Sequence, residues 1–193
     1  MTWPAPVILS GRHVTLAPLT QEHASELAKA SQSLGQKWYT TVPAPHAMVQ
    51  EIDRRNSTPG MTPFAQLDAG GTAVGMTTYM NATEADRRVE IGSTWLSPAV
   101  QRTPLNTEAK LLLLTHAFET LNCIRVEFRT HRLNQQSRRA IERLGAQLEG
   151  ILRNHMVMGD GHLRDTAVYA IIASEWPVIK THITAKLREM EAR

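Results

Sequence analysis

The chain contains one cysteine, Cys123, among its 193 residues. A single cysteine excludes an internal disulfide and a cysteine-rich metal site, and this usage fits a reducing compartment. Long apolar runs are also missing, since the longest, residues 111–114 and 167–173, fall far short of the roughly 18 that a membrane span requires. The opening letters MTWPAPVILSGRH lack the basic segment and long apolar run of a signal peptide. We therefore expect a soluble cytoplasmic protein with no membrane partner.

The chain has little excess charge of either sign. Lysine and arginine total 21 against 18 acidic residues, so the net charge is only +3 and nucleic acid is not an expected partner. The signatures Gly-x-Ser-x-Gly, His-Glu-x-x-His and the Walker loop are absent, which argues against the chemistries that use them. The eight histidines are scattered without the spacing of metal ligands, so we expect no metal.

The composition is that of a globular protein with a regular series of short elements. Hydrophobic residues make up 42% and charged residues 20%, typical of one domain that buries its own core. Apolar alternation between turn residues predicts strands at 13–19, 64–67, 73–80, 87–96, 124–130, 146–158 and 162–173. The sequence therefore predicts one α/β (α+β) domain over residues 1–193, with a largely antiparallel sheet of six or seven strands and helices on its faces.

Helical periodicity and capping residues place the helices between these strands. Two lie before residue 56, a long apolar one follows Pro98 to about residue 121, and another runs from the N-cap Asn134 to the left-handed cap Gly145. The last helix, at about 178–191, is a C-terminal extension of mixed charge. Its surface is a candidate for a homodimer contact.

Residues 88–145 contain the arrangement on which the functional prediction rests. Two strands are each followed by a basic and polar turn that opens a helix. Helix N-termini carry partial positive charge and free N–H groups, so the arrangement suits a phosphorylated ligand. In the first strand, alternation predicts Val89, Ile91 and Ser93 on one side, with Glu90 and Thr94 on the other.

Four segments carry a resemblance to a known family: HVTLAPLTQEHASEL, VEIGSTWLSPAVQRTPLNTEAKLLLLTHAFETL, LNQQSRRAIERLGAQLEG, and RDTAVYAI followed by EWP. With the order of elements, they resemble the GNAT superfamily of N-acetyltransferases. The closer resemblance is to its RimJ/RimL-like branch, which acetylates protein N-termini. The third segment, with the pattern LNxxSxxxxxxLGAxxEG, is the most specific. Its Asn-x-x-Ser spacing is a weak signal alone and gains weight because it follows the strand 124–130. The resemblance implies a GNAT fold whose sheet is splayed between the strands 87–96 and 124–130.

The resemblance further implies that acetyl-coenzyme A, the acetyl donor, binds in this splay. Its pantetheine then pairs with the exposed edge of the first strand at Thr94, Trp95 and Leu96. Its pyrophosphate lies on the turn that precedes the long helix. From the second helix N-terminus, Asn134 and Arg139 are implied coenzyme contacts.

Arg132 and Arg138 flank the same N-terminus and, with Arg139, are candidates for the 3′-phosphate of the coenzyme. A solvated basic face is the alternative for each of these arginines.

The first of the two turns departs from the family pattern Q/R-x-x-G-x-G/A. Both glycine positions are changed, to Pro104 and Asn106. Proline lacks an N–H and suits a first helical turn, whereas asparagine tolerates a positive φ and would preserve the second turn. We expect a remodelled phosphate cradle in which other groups compensate: Gln101, Arg102 and the backbone around Leu105, Asn106 and Thr107.

Acetyl transfer to an amine needs a base and a proton donor for the leaving sulfur. By the resemblance, Glu90 is the candidate base and Ser137 the candidate acid. Glu90 has the alternative of a strand carboxylate paired with Arg88 or Arg125. Ser137 has the alternative of a hydroxyl that only bonds the helix start.

Acceptor-site candidates lie elsewhere in the chain. A second base of RimL-like enzymes falls by spacing on Met156, which cannot serve, and the neighbouring His155 is the titratable substitute. Trp38 and Tyr39 lie in a loop that in this fold shapes the acceptor pocket; a plain lid or a dimer contact is the alternative.

The resemblance implies an N-acetyltransferase whose acceptor is a protein N-terminal α-amine, such as that of a ribosomal protein. A small amine is the second possibility: a polyamine, an antibiotic or an amino-acid conjugate. The altered turn and Met156 motivate a third, a non-catalytic module that binds coenzyme A or a partner. A basic RNA-associated domain has only the arginine cluster in its favour.

Overall fold

Eight strands form one sheet within the part of the chain that the computed structural model describes, residues 3–35, 38–40 and 42–192. They are β1 (Leu9–Ser10), β2 (Thr15–Pro18), β3 (Thr62–Leu67), β4 (Ala73–Thr83), β5 (Arg88–Leu96), β6 (Arg125–His131), β7 (Gln147–Val157) and β8 (Leu163–Ile172). Their spatial order is β1-β2-β3-β4-β5-β6-β8-β7. Every neighbouring pair is antiparallel except β5 and β6, which are parallel.

Helices cover both faces of this sheet, as predicted. They are α1 (Ala24–Gln32), α2 (Met48–Ser57), α3 (Pro104–Thr115), α4 (Gln135–Glu142) and α5 (Trp176–Glu191). Leu27 and Ile52 place α1 and α2 on a small core over β3 and β4. Leu113, Ile141 and Ile183 place the other three helices on the larger core beneath the opposite face. Burial of these apolar stripes is the main stabilising term.

The observed elements differ from the predicted ones in two respects. The sheet has eight strands rather than six or seven because β1, with two residues, is too short to show alternation. The long helix predicted to reach about residue 121 is α-helical only to Thr115, and a π-helical turn, His116–Thr120, continues it. Both segments lie within the predicted helix.

Predicted caps end the helices on the larger core. Asn122, after the π-helical turn, has φ +53°, and Gly145, after α4, has φ +97°. A Cβ atom at Gly145 would lie 3.2 Å from Ile179 Cγ1, so a side chain there would press on α5 as well as strain the backbone. Glycine at this cap therefore also permits close packing of α5.

Polar anchors fix α3, the helix whose first turn faces the candidate site. Tyr79 Oη donates to the Leu113 carbonyl at 2.5 Å from beneath the sheet. At the other end, the Glu108 carboxylate accepts backbone N–H groups of Arg12, His13 and Val14 at 2.6–3.0 Å. These contacts tie α3 to β4 and to the segment that precedes β2.

Candidate active site

The parallel strands β5 and β6 pair over three residues and then separate. The pairs are Arg88 with Arg125, Val89 with Val126, and Glu90 with Glu127. Beyond them β5 continues to Leu96 and β6 to His131 without pairing to each other. The β6-facing edge of residues 91–96 therefore has no strand partner. The predicted splay between these two strands is confirmed.

A β-bulge lies in the separated half of β5. Thr78 pairs with Gly92 and Met76 with Trp95, so two residues of β5 lie opposite Thr77 alone. The first of the two, Ser93, has φ +49°, a left-handed conformation that serine adopts only at a cost. The bulge therefore re-aims every side chain that follows it.

The predicted alternation of β5 is wrong beyond Gly92 for this reason. Ser93 Oγ lies 3.8 Å from Met80 Sδ, and Met80 is the register partner of Glu90. Ser93 thus shares the face of Glu90 rather than that of Ile91. Thr94 turns to the opposite face, where α3 lies.

Arg55 of α2 holds the bulge from the Glu90 face. Its side chain is almost fully buried, with Nη1 donating to Thr78 Oγ1 at 3.0 Å and to the Ser93 carbonyl at 3.2 Å. Its Nε donates to Glu51 at 2.7 Å, which neutralises the buried charge. Burial lowers the pKa of Arg55, and the contact with Glu51 opposes that shift.

Lys110 of α3 holds the bulge from the other face. Its Nζ donates to Thr94 Oγ1 at 2.7 Å and to Thr77 Oγ1 at 3.1 Å. Burial lowers the pKa of Lys110 to about 7, because no opposite charge offsets the desolvation of its ammonium. Two cations from opposite faces therefore bind the same bulge, and only Arg55 has a carboxylate partner among the described residues.

Glu90, the candidate base, is buried before the bulge. Its carboxylate accepts from Asn81 Nδ2 at 2.8 Å and lies 3.5 Å from Arg129 Nε. Burial raises the pKa of Glu90, while Asn81 and Arg129 oppose that shift. Neither Arg88 nor Arg125 pairs with it, so that alternative partnership is wrong.

Glu127, the register partner of Glu90, forms ion pairs with Arg88, Arg125 and Arg129. Arg125 Nε lies 2.9 Å from one of its oxygens and Arg129 Nη2 lies 2.8 Å from the other. Burial acts to raise the pKa of Glu127, but the bonds from Arg125 and Arg129 outweigh it and the pKa is lowered. Of two adjacent buried carboxylates, only Glu90 has the raised pKa that suits a base near neutral pH.

Aromatic and histidine rings gather at the free end of β6. Trp38 contacts His131 edge-on at 5.1 Å and His162 at 4.9 Å between ring centroids, and Tyr39 lies 5.3 Å from Trp38. His131 Nδ1 accepts the Leu133 N–H at 3.0 Å, so Nε2 carries the hydrogen. That buried Nε2 has no partner among the described residues. Trp38 and Tyr39 therefore lie beside the end of the separated strand β6, where the acceptor pocket is predicted.

His155 lies on a second irregularity, in β7. Three residues of β7 oppose one of β8 between Leu152 and Met156, and Asn154 has φ +48°. His155 Nδ1 consequently reaches Thr166 Oγ1 at 3.2 Å, and Thr166 is the register partner of His131. His155 thus faces the same side of the sheet as Glu90, although it is exposed.

The first helix N-terminus is built differently from the expectation. Thr103 is the N-cap, its Oγ1 accepts the Leu105 N–H at 3.4 Å, and Pro104 begins α3. Asn106 lies inside the helix, so the expected positive φ at this position is wrong. Arg102 instead takes the left-handed conformation, with φ +64°. The turn is made two residues before the helix rather than within its first turn.

Side chains at this terminus divide between the core and an open basic pocket. Leu105 is in the core, its N–H donates to Thr103 Oγ1, and Thr107 Oγ1 lies 3.6 Å from Met190 Sδ. Gln101 Nε2 donates to the Leu96 carbonyl at 2.9 Å and so ties the turn to β5. Beside the turn is a pocket of about 290 Å³ lined by Arg102, Thr107, Arg143, Lys186, Glu189 and Met190.

The second helix N-terminus agrees with the prediction. Asn134 Oδ1 accepts the Ser137 N–H at 3.1 Å and caps α4. Arg138 Nε donates to Tyr169 at 2.8 Å, and Arg132 lies 3.2 Å from Asp165. Arg139 is exposed and forms no ion pair or side-chain hydrogen bond with the described residues. Of the three arginines, Arg139 is the one left available to an anion.

The sequence analysis missed five residues of the site. They are Asn81, His131, the half-buried Arg164, whose charge acts on Glu90 and His131, and the buried cations Arg55 and Lys110. A signal existed for two of them. Arg55 continues the apolar spacing Met48, Ile52 on α2, and Lys110 interrupts the apolar face of α3. A cation on an apolar stripe indicates a buried partner. The other three depended on which strands became neighbours.

The described residues contain neither a reactive cysteine nor a cluster of side chains that could bind a metal ion. No group of three or more histidine, cysteine or acidic side chains is arranged to hold a metal within residues 3–35, 38–40 and 42–192. Burial raises the pKa of the Cys123 thiol to about 11, so this cysteine is unreactive. No helix in the described ranges has the length and apolarity to cross a bilayer.

The chain belongs to the GNAT acetyltransferase family and is an N-acetyltransferase. The family described as "Acetyltransferase (GNAT) domain" matches residues 13–147, and the architecture with its splayed strands agrees. A GCN5-related N-acetyltransferase from Brucella melitensis superimposes with a TM-score of 0.88 and is 37% identical, covering 95% of this chain and 86% of that one. The predicted family and fold are thereby confirmed.

Two relatives carry more specific names. The protein named "Putative ribosomal N-acetyltransferase YdaF" of Bacillus subtilis (strain 168) is 31% identical over 106 residues. That match spans 55% of this chain and 57% of the relative, somewhat more than half of each. RimJ of Mycobacterium smegmatis, solved in complex with CoA-disulfide, is 25% identical with a TM-score of 0.76, covering 96% of this chain and 97% of that one.

Proposed function

We propose that this protein transfers an acetyl group from acetyl-coenzyme A to the α-amino group of a protein N-terminus. The observation that carries the proposal is the free edge of β5 after its third pair with β6. In the described part of the chain, residues 91–96 have no strand partner on the side of β6, and α3 and α4 begin shortly after β5 and β6 end. An extended pantetheine chain can complete such an edge, and the helix N-termini favour its phosphates.

The residues around this edge fit the coenzyme. Arg102, Arg143 and Lys186 line the pocket beside α3 and form no ion pairs with the described residues. In the first turn of α3, Asn106 Oδ1 is buried without a hydrogen-bond partner in the described chain, so a donor on a ligand would satisfy it. Arg139 offers a further cation at α4. The coenzyme would supply the acetyl group as an activated thioester.

In this proposal Glu90 takes the proton from the incoming amine. Its raised pKa brings it closer to that of an α-amino group, which titrates at about 7.7–8.0. Asn81 and Arg129 hold the Glu90 carboxylate in a fixed orientation. Ser137, in the first turn of α4 and half-buried, is the proposed proton donor to the leaving sulfur.

The acceptor would approach over the Glu90 face, between the rings at the end of β6 and the exposed strand β7. Trp38 and Tyr39 provide apolar surface, and the orphan Nε2–H of His131 provides a donor for a peptide carbonyl. His155 lies at the same side and is exposed to an incoming chain. The ribosomal name of YdaF supports a protein acceptor.

Two measurements test the proposal in sequence. Calorimetric titration with acetyl-coenzyme A should show saturable binding, and absence of binding at high micromolar protein would refute the coenzyme assignment. Acetylation is then followed by mass spectrometry on N-terminal peptides and on a matched panel of polyamines, aminoglycosides and amino-acid conjugates. Turnover confined to the small amines would retain the chemistry and overturn the acceptor.

A blocked peptide provides the matched control for this panel. The same sequence with an acetylated N-terminus and an internal lysine should remain unmodified, because its only free amine has a pKa near 10.4 and stays protonated. Modification of that lysine would show that the site does not select an α-amine.

A further inference from the structure

Lys110 is a buried cation that the proposed chemistry does not use. It lies in the second turn of α3, 6% exposed, with its Nζ between Thr77 Oγ1 and Thr94 Oγ1. It forms no ion pair with any described residue. A buried ammonium without a counter-charge is costly, and a methionine of similar shape would avoid that cost. Its position beneath the bulge connects it to the open edge of β5.

The hydrogen bonds around Lys110 have a direction. An ammonium can only donate, so both threonine oxygens accept from it. Thr77 is fully buried, and the remaining acceptor within reach of its hydroxyl is Thr94 Oγ1 at 2.8 Å. Thr94 Oγ1 thus receives two hydrogens, and its own hydrogen must point elsewhere. The Gly92 carbonyl, 3.4 Å from Thr94 Oγ1, offers only a weak hydrogen bond. Because Thr94 is exposed, its hydroxyl hydrogen can point outward instead.

We propose that protonated Lys110 is a positioning residue that turns the Thr94 hydroxyl hydrogen outward, to donate to an acceptor oxygen or sulfur of the acyl donor. Neutral Lys110 has a lone pair, accepts from Thr94 and turns the same hydrogen inward. Thr94 contacts the ligand, and Lys110 acts through Thr94. The inference rests on the proposed function, because it needs an acyl donor on the β5 edge.

The surroundings of Lys110 allow both protonation states near neutral pH. Burial lowers its pKa to about 7. The strands packed against it present the uncharged groups Thr77 and Thr94, and along α3 its neighbours at i−4 and i+4 are Asn106 and Leu114. No carboxylate or second cation among the described residues contributes to the shift. Charge on Lys110 therefore falls as pH rises through about 7.

The first test is calorimetric binding of acetyl-coenzyme A, without an amine, between pH 6 and pH 9. Wild-type affinity should fall about 5–10-fold over this range, the worth of one directed hydrogen bond. Thr94→Val should bind about 5–10-fold more weakly at pH 6 and lose this dependence, whereas Thr94→Ser should keep it. Lys110→Arg should hold high affinity at pH 9 because arginine stays charged.

Lys29→Met, an exposed lysine on α1, is the matched control and should reproduce the wild-type profile. Titration of the coenzyme's own phosphates is common to all variants, so differences between profiles isolate the protein group. Because Thr94 is exposed, its two variants leave the core intact even where a Lys110 variant does not fold.

The second test observes Lys110 directly. A heteronuclear NMR titration of the lysine side chains in the ligand-free protein should show one with a midpoint of about 7, and this resonance should be missing in Lys110→Arg. The inference is overturned if Thr94→Val binds acetyl-coenzyme A with the same affinity and the same pH profile as the wild type. It is also overturned if the midpoint of Lys110 lies in the ordinary range of lysine. Failure of the wild type to bind at any pH overturns the proposed function instead.

Discussion

The half of β5 that pairs with β6 and the half beyond the third pair differ in how the charged and polar groups around them are satisfied. In the half paired with β6, Glu127 is held by Arg125 and Arg129 in an ion-pair network that reaches Glu149. In the separated half, the bulge holds an ammonium, Lys110, that has no carboxylate partner among the described residues. Trp95 Nε1 is buried there without a hydrogen-bond partner in the described chain. The paired half is electrostatically complete, and the separated half is not.

This difference indicates which half of β5 is kept for a ligand. A saturated ion-pair network gains little from a further contact, whereas unsatisfied polar groups gain the full value of a hydrogen bond when a ligand supplies one. Glu90 lies at the boundary, with its pKa raised by burial although arginines are near. The comparison can be tested by substituting matched residues from the two halves.

The largest effect is expected for the register pair Glu90 and Glu127. Glu90→Gln should lower kcat/KM by about 10²–10⁴-fold because a general base is removed. In the wild type, kcat/KM should decline as pH falls through the raised pKa of Glu90, and that acidic limb should vanish in the variant. Steady-state kinetics from pH 5 to pH 9 measures both. Glu127→Gln should stay within about tenfold of wild type, and equal losses in the two variants would contradict the distinction.

The next effect concerns Arg55, the bulge cation that has a partner. Arg55→Met should lower the free energy of unfolding by about 3 kcal/mol, because the Ser93 carbonyl and Glu51 both lose a donor. Chemical denaturation monitored by circular dichroism measures the change. Arg54→Met, which removes an exposed arginine from the same carboxylate, is the control and should cost less than about 1 kcal/mol.

The effect on Lys110 should have the opposite sign. Lys110→Met should raise the free energy of unfolding by about 1–4 kcal/mol at pH 6, since it replaces an uncompensated buried charge with an apolar side chain. In the fold the pKa is about 7, below its value in the unfolded chain, so the unfolded state binds more protons above pH 7. The stability that the wild type loses by burying this charge is therefore lost in full below pH 7, and the loss shrinks as pH rises toward 10. Thermal unfolding at pH 6, 8 and 9.5 measures it, and a destabilised Lys110→Met at pH 6 would contradict the prediction.

The smallest effect is expected in the paired half, at its rim. Arg125→Met should change the free energy of unfolding by less than about 1 kcal/mol, because its bond to Glu149 is exposed and Arg129 still holds Glu127. Its contribution should fall further in 1 M salt, where charges are screened. A loss comparable to that of Arg55→Met would show that the paired half depends on this network for stability.

Much of the fold was predictable because it depends on local rules. Alternation and turn residues located seven of the eight strands, and Asn134, Asn122 and Gly145 marked helix ends by their capping chemistry. The splay followed from the family resemblance and was confirmed by the three-residue pairing of β5 and β6. The roles assigned to Glu90 and Ser137 stay predictions.

The errors have a common physical origin in backbone that departs from ideal periodicity. Alternation along β5 was wrong after Gly92 because the bulge at Ser93 and Thr94 inserts a residue, and alternation assumes an uninterrupted period of two. The turn before α3 was placed at Asn106 because asparagine tolerates a positive φ, yet Arg102 adopts it. A serine or an arginine in such a conformation is held by its surroundings rather than by its own preference.

By itself, the sequence determined the order of elements, the caps and the two helix N-termini that flank the site, since each depends on residues close together in the chain. Tertiary structure alone decided which side chains became the partners of Glu90, Glu127 and Lys110. Glu90 rather than Glu127 kept a raised pKa because Arg125 and Arg129 are nearer to Glu127. Lys110 came to lie beneath Thr94 because one extra residue in β5 turned that threonine toward α3. Such charges take their values from neighbours that are distant in sequence, which no local pattern encodes.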